Sequence, residues 1–245
     1  MAFLTPDYIY PINTIKVKQK FLPVGKRPGK KLNTPGNKPL WVTIHNTDDI
    51  NEAAGTTDAE QYARATFNGA MNDVSVHFYI DESDCWQILP LDEIGYHAAD
   101  YSDKNGGNWT SVAIEVIEKN GKTDDDIEAE DRAAKLAAGL LKKFGLGIDR
   151  LTTHTHWYPK KTCPIYILPH WEAFKNLVEA YMYEAGDIDM DGKVTAADAR
   201  LALRASVNAE KLTDVQKIIA DTDGDGDVDA ADAREILRKS VGLEE

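Results

Sequence analysis

The feature that most constrains the fold of this chain is a twelve-residue acidic loop that occurs twice near the C-terminal end. The two copies cover residues 187–198 and 221–232. Each has aspartate at positions 1, 3, 5 and 12 and glycine at position 6, which is the pattern of an EF-hand type calcium loop. A merely acidic, solvated tail is the alternative, but it would have no reason to repeat the glycine at a matching position. The predicted ligands are Asp187, Asp189, Asp191, Lys193, Thr195 and Asp198 for one Ca²⁺ and Asp221, Asp223, Asp225, Asp227, Asp229 and Asp232 for a second, with the main-chain carbonyl used at Lys193 and Asp227.

A helix is predicted after each loop, over Ala196–Ser206 and Ala230–Ser240, so that residues 186–245 form a small all-α domain of two EF-hand-type repeats. This duplicated loop and helix, with aspartate instead of glutamate at position 12, resembles a dockerin. The resemblance implies two structural calcium ions and docking to a cohesin module. Alanine pairs stand at positions 10 and 11 of both loops. They would give the two helices small, apolar starts that suit a contact surface.

The longer N-terminal part alternates predicted strands and helices. β-Branched and aromatic runs predict the strands, and Thr123 is placed to cap a helix of about 20 residues. The predicted strands are Trp41–His45, Val74–Ile80, its hairpin partner Trp86–Leu89, and Val112–Ile117. We therefore expect an α/β domain over residues 40–180, with a mixed central β-sheet flanked by helices. Residues 1–39 are expected to be an extended basic lead-in with one short strand around Ile15–Val17.

Histidine and cysteine are concentrated in the stretch Leu151–Pro164. His154 and Cys163 can both bind a borderline-soft ion such as Zn²⁺. Two ligands make a poor site, so we expect a third from His45, at the predicted end of the first strand of the domain. Three protein ligands leave a fourth position for water, which is the arrangement of hydrolytic zinc sites. Taken alone, a histidine at a strand end such as His45 is more often a hydrogen-bonded structural residue than a metal ligand.

Glu115 is out of place in an apolar strand, where it shares a face with Ala113 and Ile117. A carboxylate in such a position is costly unless it is paired or used. We expect it to act as general base or acid beside the zinc water, with Lys161 stabilising the oxyanion formed when a carbonyl is attacked. The plain alternative is a glutamate that is solvated on an open sheet face.

Five segments together resemble the zinc-dependent N-acetylmuramoyl-L-alanine amidases of phage endolysins and bacterial autolysins, whose fold is shared with peptidoglycan recognition proteins. They occur in family order and are Trp-Val-Thr-Ile-His45-Asn-Thr, Ser75-Val-His77-Phe, Tyr96-His97-Ala-Ala-Asp, Val112-Ala-Ile-Glu115, and His154 through Lys161-Thr-Cys163-Pro164. The resemblance covers roughly residues 18–170.

The resemblance implies one catalytic Zn²⁺ on His45, His154 and Cys163, and Glu115 and Lys161 as the catalytic pair. The reaction would cut the amide between the muramic-acid lactyl group and L-alanine of peptidoglycan. His77 and His97 would lie near the substrate cleft, where a hydrogen-bonded positioning role suits His77 better and His97 would line the substrate groove. One branch of the family has a catalytic tyrosine before the cleft histidine, where this chain has Val76.

The overall charge restricts the partners. A net charge of −13 argues against general nucleic-acid binding, although residues 14–38 carry eight basic side chains and no acidic one. No run approaches ~18 consecutive apolar residues, so no membrane span is expected. Cys85 and Cys163 are too few for a disulfide framework.

Three alternatives concern the role of the protein. The first residues do not form a conventional secretion signal, which favours a phage or prophage endolysin, made in the cytoplasm and released to the wall through a holin pore. If a signal has been removed from the sequence, a secreted cell-wall amidase docked to a cohesin is the better reading. A non-catalytic peptidoglycan-recognition protein would lack part of the zinc set, and a muramidase would need two flanking carboxylates.

Overall fold

The computed structural model describes residues 3–48, 56–100 and 102–243. The chain forms two compact units, Met1–Phe174 and Lys175–Glu245. This division lies several residues before the boundary expected from the sequence, between domains at 40–180 and 186–245, and those limits stay predictions. Within the described ranges, none of the helices has the length and apolar character needed to cross a bilayer.

One mixed β-sheet forms the centre of the first unit. Its described strands are β1 (Tyr8–Ile12), β2 (Ile15–Gln19), β3 (Trp41–Asp48), β4 (Phe78–Ile80), β5 (Cys85–Gln87), β6 (Ser111–Glu118) and β7 (Leu151–Thr153). They lie in the order β1-β2-β5-β4-β6-β3-β7. The pairs β3–β6, β3–β7, β4–β6 and β2–β5 are parallel, whereas the hairpins β1–β2 and β4–β5 are antiparallel. The predicted mixed sheet and its hairpin are confirmed.

Helices cover both faces of this sheet. The described helices before the division are α1 (Asp58–Phe67), α2 (Gly107–Thr110), α3 (Asp124–Phe144) and α4 (His154–Trp157), with 3₁₀ turns at Pro35–Asn37, Ile148–Arg150 and Leu168–His170; α5 (Trp171–Ala180) crosses the division. Tyr62 of α1 is in a buried cluster with Tyr79, Trp86 and Ala113. The long helix α3 packs against β6. Alternate residues of β6, namely Val112, Ile114 and Val116, point to the face opposite Ala113 and are fully buried. Thr123 caps α3 in a capping box with Asp126, as its sequence position predicted.

Two of the predicted strands have an end that differs from the prediction by three or more residues. β3 continues three residues past His45, to Asp48, because β6 pairs with it in register as far as Asp48 and Glu118. These main-chain hydrogen bonds outweigh the turn preference of Asn46 and Asp48, so His45 lies inside the strand. By contrast, β4 begins only at Phe78, since the Ser75 N–H donates instead to the Tyr96 carbonyl in the following loop.

The basic lead-in belongs to the sheet and is not a free extension. Both β1 and β2 come from it, and β2 pairs with β5. Its cations meet acidic residues of the segment 84–93: Lys18 Nζ lies 2.6 Å from an Asp84 oxygen, and Arg27 Nε lies 2.8 Å from Glu93. The lead-in therefore completes the domain, and much of its positive charge is used internally.

The second unit is all-α. Its helices are α6 (Ala196–Ser206), α7 (Asp214–Ala220) and α8 (Ala230–Ser240), so both predicted helices are confirmed and α7 is additional. A small core includes Ile188, Ala202, Ile219 and Ile236. Each acidic loop leads directly into α6 or α8, which pack against each other.

Candidate active site

The sheet register places three of the predicted site residues at neighbouring positions. His45 on β3 pairs with Glu115 on β6, and Ile44 pairs with Thr153 on β7. His154 is the next residue after β7, so it follows beside His45. Residues paired in register project from the same face of a sheet. Parallel pairing of β3 with both neighbours thus gathers these side chains although they are far apart in sequence.

The donor atoms of His45, His154 and Cys163 form a compact group, all within 4.8 Å of one another. The two histidine Nδ1 atoms are 3.1 Å apart, and Cys163 Sγ is 3.8 Å from His45 Nδ1. Tetrahedral zinc bonds of about 2.0–2.1 Å to nitrogen and 2.3 Å to sulfur would separate such donors by roughly 3.3–3.6 Å. The group therefore fits a zinc ion in donor type and spacing.

Two side chains hold the Cys163 segment against this group. The Cys163 N–H donates to Thr155 Oγ1 over 3.1 Å, and the Thr155 N–H donates to the Cys163 carbonyl over 3.0 Å. Asn46, next to His45, accepts from the N–H groups of Tyr166 and Ile167 through its Oδ1 atom. The cysteine is thus fixed both to α4 and to the strand that carries His45.

Burial sets the protonation of the ligand group. It lowers the pKa of His45 well below its usual value, helped by His97, His154 and Lys161. It lowers the pKa of His154 to about 4, with Lys161 adding to the effect. Both imidazoles are therefore neutral at pH 7 and have a lone pair available to a metal. His154 Nε2 is buried without a hydrogen-bond partner among the described residues.

Glu115 and Lys161 flank the group. Burial raises the pKa of Glu115 to about 7, and the Lys161 charge opposes that rise. The Glu115 side chain keeps partial exposure, and Lys161 is exposed. A carboxyl group with a pKa near neutrality can both accept and return a proton at physiological pH. Glu115 is thus an acid–base group beside the candidate metal site, and the Lys161 cation is near enough to affect its pKa.

The other two cleft histidines are buried and hydrogen-bonded. His77 is 0% exposed; its Nε2 lies 2.9 Å from the Glu93 carbonyl, and its Nδ1 accepts from the Ala113 N–H. His97 is 6% exposed, with Nδ1 3.0 Å from His45 Nε2. This geometry agrees with the positioning role expected for His77 and gives His97 a hydrogen bond to a candidate ligand, while substrate contact by either ring stays a prediction. His156, in contrast, is exposed and packs on Trp41.

The acidic loops of the second unit bring carboxylates together in two groups. Asp187, Asp189 and Asp198 form one group, and Asp221, Asp223 and Asp225 form the other. The glycines at position 6 have φ of 90° and 92°, the left-handed turn that this loop type needs. The remaining predicted ligands are arranged around these groups: Thr195 and Asp229 cap α6 and α8, Asp232 accepts from Thr222, and Asp191, Lys193 and Asp227 lie in the turns between.

Comparison with known families decides the identity of the first unit. Residues 35–166, more than half of the chain, match the family model described as N-acetylmuramoyl-L-alanine amidase. The chain belongs to this amidase family. Residues 185–239 match the dockerin type I domain. The match includes the whole candidate zinc set, and the second match includes both acidic loops.

Curated relatives of the amidase support the assignment. N-acetylmuramoyl-L-alanine amidase CwlH of Bacillus subtilis is 35% identical over 165 residues, which are 66% of this chain and 60% of that protein. XlyA of the same organism is 32% identical over 180 residues, 71% of this chain and 56% of that protein. The chain thus spans little more than half the length of these relatives.

A solved structure extends the likeness to the fold. The catalytic domain of XlyA aligns with a TM-score of 0.56 and 33% identity, covering 67% of this chain and 99% of that domain. The matched portion is therefore essentially one complete catalytic domain.

Three residues that hold the candidate site in place were not predicted from the sequence, namely Asn46, Thr155, and Ser111, whose Oγ lies 3.4 Å from His97 Nε2. Of these, only Asn46 gave a signal, because asparagine is disfavoured within strands. The other two roles depend on contacts between elements that the sequence alone does not reveal.

Proposed function

We propose that this protein is a zinc-dependent N-acetylmuramoyl-L-alanine amidase acting on bacterial peptidoglycan. It would hydrolyse the amide bond between the lactyl group of N-acetylmuramic acid and the L-alanine of the stem peptide. The observation that carries the proposal is the buried His45–His154–Cys163 donor group directly beside Glu115. The named activities of the relatives agree with this reaction.

The donor group would hold one zinc ion, which would supply a Lewis acid that polarises the amide carbonyl and acidifies water. Glu115 takes the proton of the attacking water and returns it to the departing amine of L-alanine. Its pKa of about 7 suits both directions of transfer. Lys161 contributes positive charge where negative charge develops on the carbonyl oxygen.

Two other functions for this unit have less support. A non-catalytic recognition domain would have no need for a complete donor group with an adjacent acid and base. A muramidase would need two carboxyl groups about 5–9.5 Å apart across a sugar bond. The amidase site offers Glu115 with a neighbouring cation, Lys161, which suits attack on an amide.

The second unit is proposed to bind two calcium ions and to dock a cohesin-like partner. The neighbouring helices α6 and α8 line an apolar groove formed by alanines at both helix starts together with Leu203 and Leu237. These two leucines are 51% and 47% exposed. For delivery to the wall we favour release of an endolysin through a holin pore, with secretion of a dockerin-bearing enzyme as the alternative.

The proposed reaction is tested by digesting purified cell walls with the full-length chain. New free amino groups and new reducing ends are measured separately, and a Glu115→Gln variant serves as control. We expect amino groups to appear without reducing ends, and to depend on Glu115. Reducing ends without amino groups would contradict amidase activity.

A further inference from the structure

We propose that His97 is a positioning residue that fixes the tautomer of His45, and so directs the lone pair of His45 Nδ1 towards the metal. The inference rests on the proposed zinc site. It follows from a chain of hydrogen bonds that runs from the Trp157 indole to the Gly107 carbonyl, where the single hydroxyl proton of Ser111 is used.

His97 lies directly behind the candidate ligand. Its Nδ1 is 3.0 Å from His45 Nε2, and its Nε2 is 3.4 Å from Ser111 Oγ. The other nitrogen of His45, Nδ1, faces His154 and Cys163. His97 thus connects the side of His45 that is remote from the metal group to the hydroxyl of Ser111.

The first end of the chain is the Trp157 indole, which can only donate. Its Nε1–H donates to Thr43 Oγ1 over 2.9 Å. The Thr43 hydroxyl proton in turn goes to Ser111 Oγ over 2.9 Å. Thr43 thus accepts from the indole, and its own proton leaves the Ser111 hydroxyl free to donate elsewhere.

The other end is the Gly107 main-chain carbonyl, which can only accept. The Ser111 hydroxyl donates its single proton to this oxygen over 2.8 Å. Ser111 Oγ therefore has no proton left for His97 and can only accept from it. The proton of the neutral His97 ring must lie on Nε2.

The tautomer of His45 follows from that of His97. With its proton on Nε2, His97 presents a lone pair at Nδ1, so His45 must donate from its own Nε2–H. The Nδ1 of His45 is then unprotonated, as a metal ligand must be. Histidine ligands of metals commonly have such a partner on the second ring nitrogen, which orients the ring.

The position of His97 is itself well determined. Asn108 Oδ1 accepts the N–H groups of both His97 and Ala98 at 2.7 Å. A Cβ atom added at Gly107 would lie 2.7 Å from the Trp157 ring, so α2 and the indole are in close contact. The loop therefore holds the imidazole in one place relative to β3.

The test measures zinc affinity in the full-length chain by competition with a chromogenic chelator. His97→Ala should raise the zinc dissociation constant about 10–100-fold. His97→Gln should restore most of the affinity, because its amide oxygen can accept from His45 Nε2–H. His170→Ala is the matched control, since His170 is an exposed histidine paired with Glu130, and it should leave the affinity unchanged.

A second readout needs no variant. Long-range ¹H–¹⁵N NMR of the zinc-free wild-type chain should show the His45 proton on Nε2. A proton on Nδ1 would overturn the proposal, as would wild-type zinc affinity in a folded His97→Ala protein. Neither measurement involves peptidoglycan, so absence of amidase activity would leave this inference to be judged separately.

Discussion

At the scale of single residues, burial prepares the site for its proposed chemistry. It lowers the pKa of the two histidines, so that they are neutral, and it raises the pKa of Glu115 to about 7. One physical cause thus has opposite effects on bases and acids, because it always disfavours the charged form. The consequence is a set of free lone pairs beside a carboxyl group that can exchange a proton at neutral pH.

The first prediction concerns Glu115. Glu115→Gln should lower kcat by ~10²–10⁴-fold while zinc content stays at the wild-type level, because the variant removes the proton acceptor only. In the wild type, activity should rise with pH on the acidic side as Glu115 loses its proton, with a midpoint at or below its pKa of about 7. A bound dication would shift the midpoint downward.

Steady-state hydrolysis of wall fragments between pH 5 and pH 8, together with metal analysis, checks this prediction. The residual activity of Glu115→Gln should lack the acidic limb. Full activity in this variant would assign the proton transfer to another residue.

The three candidate ligands and Glu115 could be proposed from the sequence, since each has an unusual residue type for its place. The partners of these residues could not be found in the same way. His97 was expected to meet substrate, yet its ring is 6% exposed and bonded to His45. The contact between the His97 and His45 rings depends on how β3, β6 and the loop before α2 pack together. No local sequence pattern predicts this packing.

At the scale of secondary-structure elements, β3 links the site to the opposite face of the sheet. Asn46 Nδ2 donates to Glu118 Oε1 at the end of β6. Burial raises the pKa of Glu118 to about 9, and nearby Glu130 and Asp126 add to the rise while the bond from Asn46 opposes it. Glu130 is in turn paired with His170. Glu118 therefore keeps its proton to a higher pH in the folded protein than in the unfolded chain.

This protonation predicts a pH-dependent stability. An unfolded glutamate has a pKa of about 4.3, so between that value and about 9 the folded state holds a proton that the unfolded state lacks. The contribution of Glu118 to the free energy of unfolding must therefore fall as pH rises through this range. The Glu118→Gln variant removes this titration but keeps an oxygen that accepts from Asn46. The Tm of the variant minus the Tm of the wild type should therefore increase from pH 5 to pH 8.

Thermal unfolding followed by circular dichroism at several pH values measures this difference. Glu128→Gln is the control, because Glu128 is an exposed residue of α3, the helix that carries Glu130. A Tm difference for Glu118→Gln that stays constant with pH would contradict the prediction.

Elements with strong local signals were predictable, and those determined by pairing were not. Helix α3 has its Thr123 cap, its acidic first turn and Gly145 in a left-handed conformation after its last residue, all within one segment. The predicted C-terminal end of β3 was wrong, because Asn46 and Asp48 favour turns locally whereas β6 provides main-chain partners for both.

At the scale of the whole molecule, the two units differ in charge and in architecture. The acidic loops of the second unit bring carboxylates together within 4.8 Å. Without a cation these groups repel one another, so folding of this unit should depend on calcium. The amidase unit is built around its own sheet and has its own donor group.

The calcium prediction is tested with a calcium-selective chelator. Residues 186–243 should become sensitive to protease and lose helical signal, while zinc stays bound to the chain. An Asp198→Ala, Asp232→Ala double variant should behave like the chelated protein without added chelator. Unchanged far-UV circular dichroism and unchanged protease resistance after chelation would count against the calcium loops.

X-ray absorption at the zinc edge of the purified full-length chain tests the central claim most directly. We expect one zinc per chain, bound by two imidazole nitrogens at about 2.0–2.1 Å, one sulfur at about 2.3 Å and one further light atom. Cys163→Ser should remove the sulfur contribution, since the other cysteine, Cys85, lies outside the donor group. A wild-type shell without sulfur, or a sulfur signal that persists in Cys163→Ser, would contradict the proposed site.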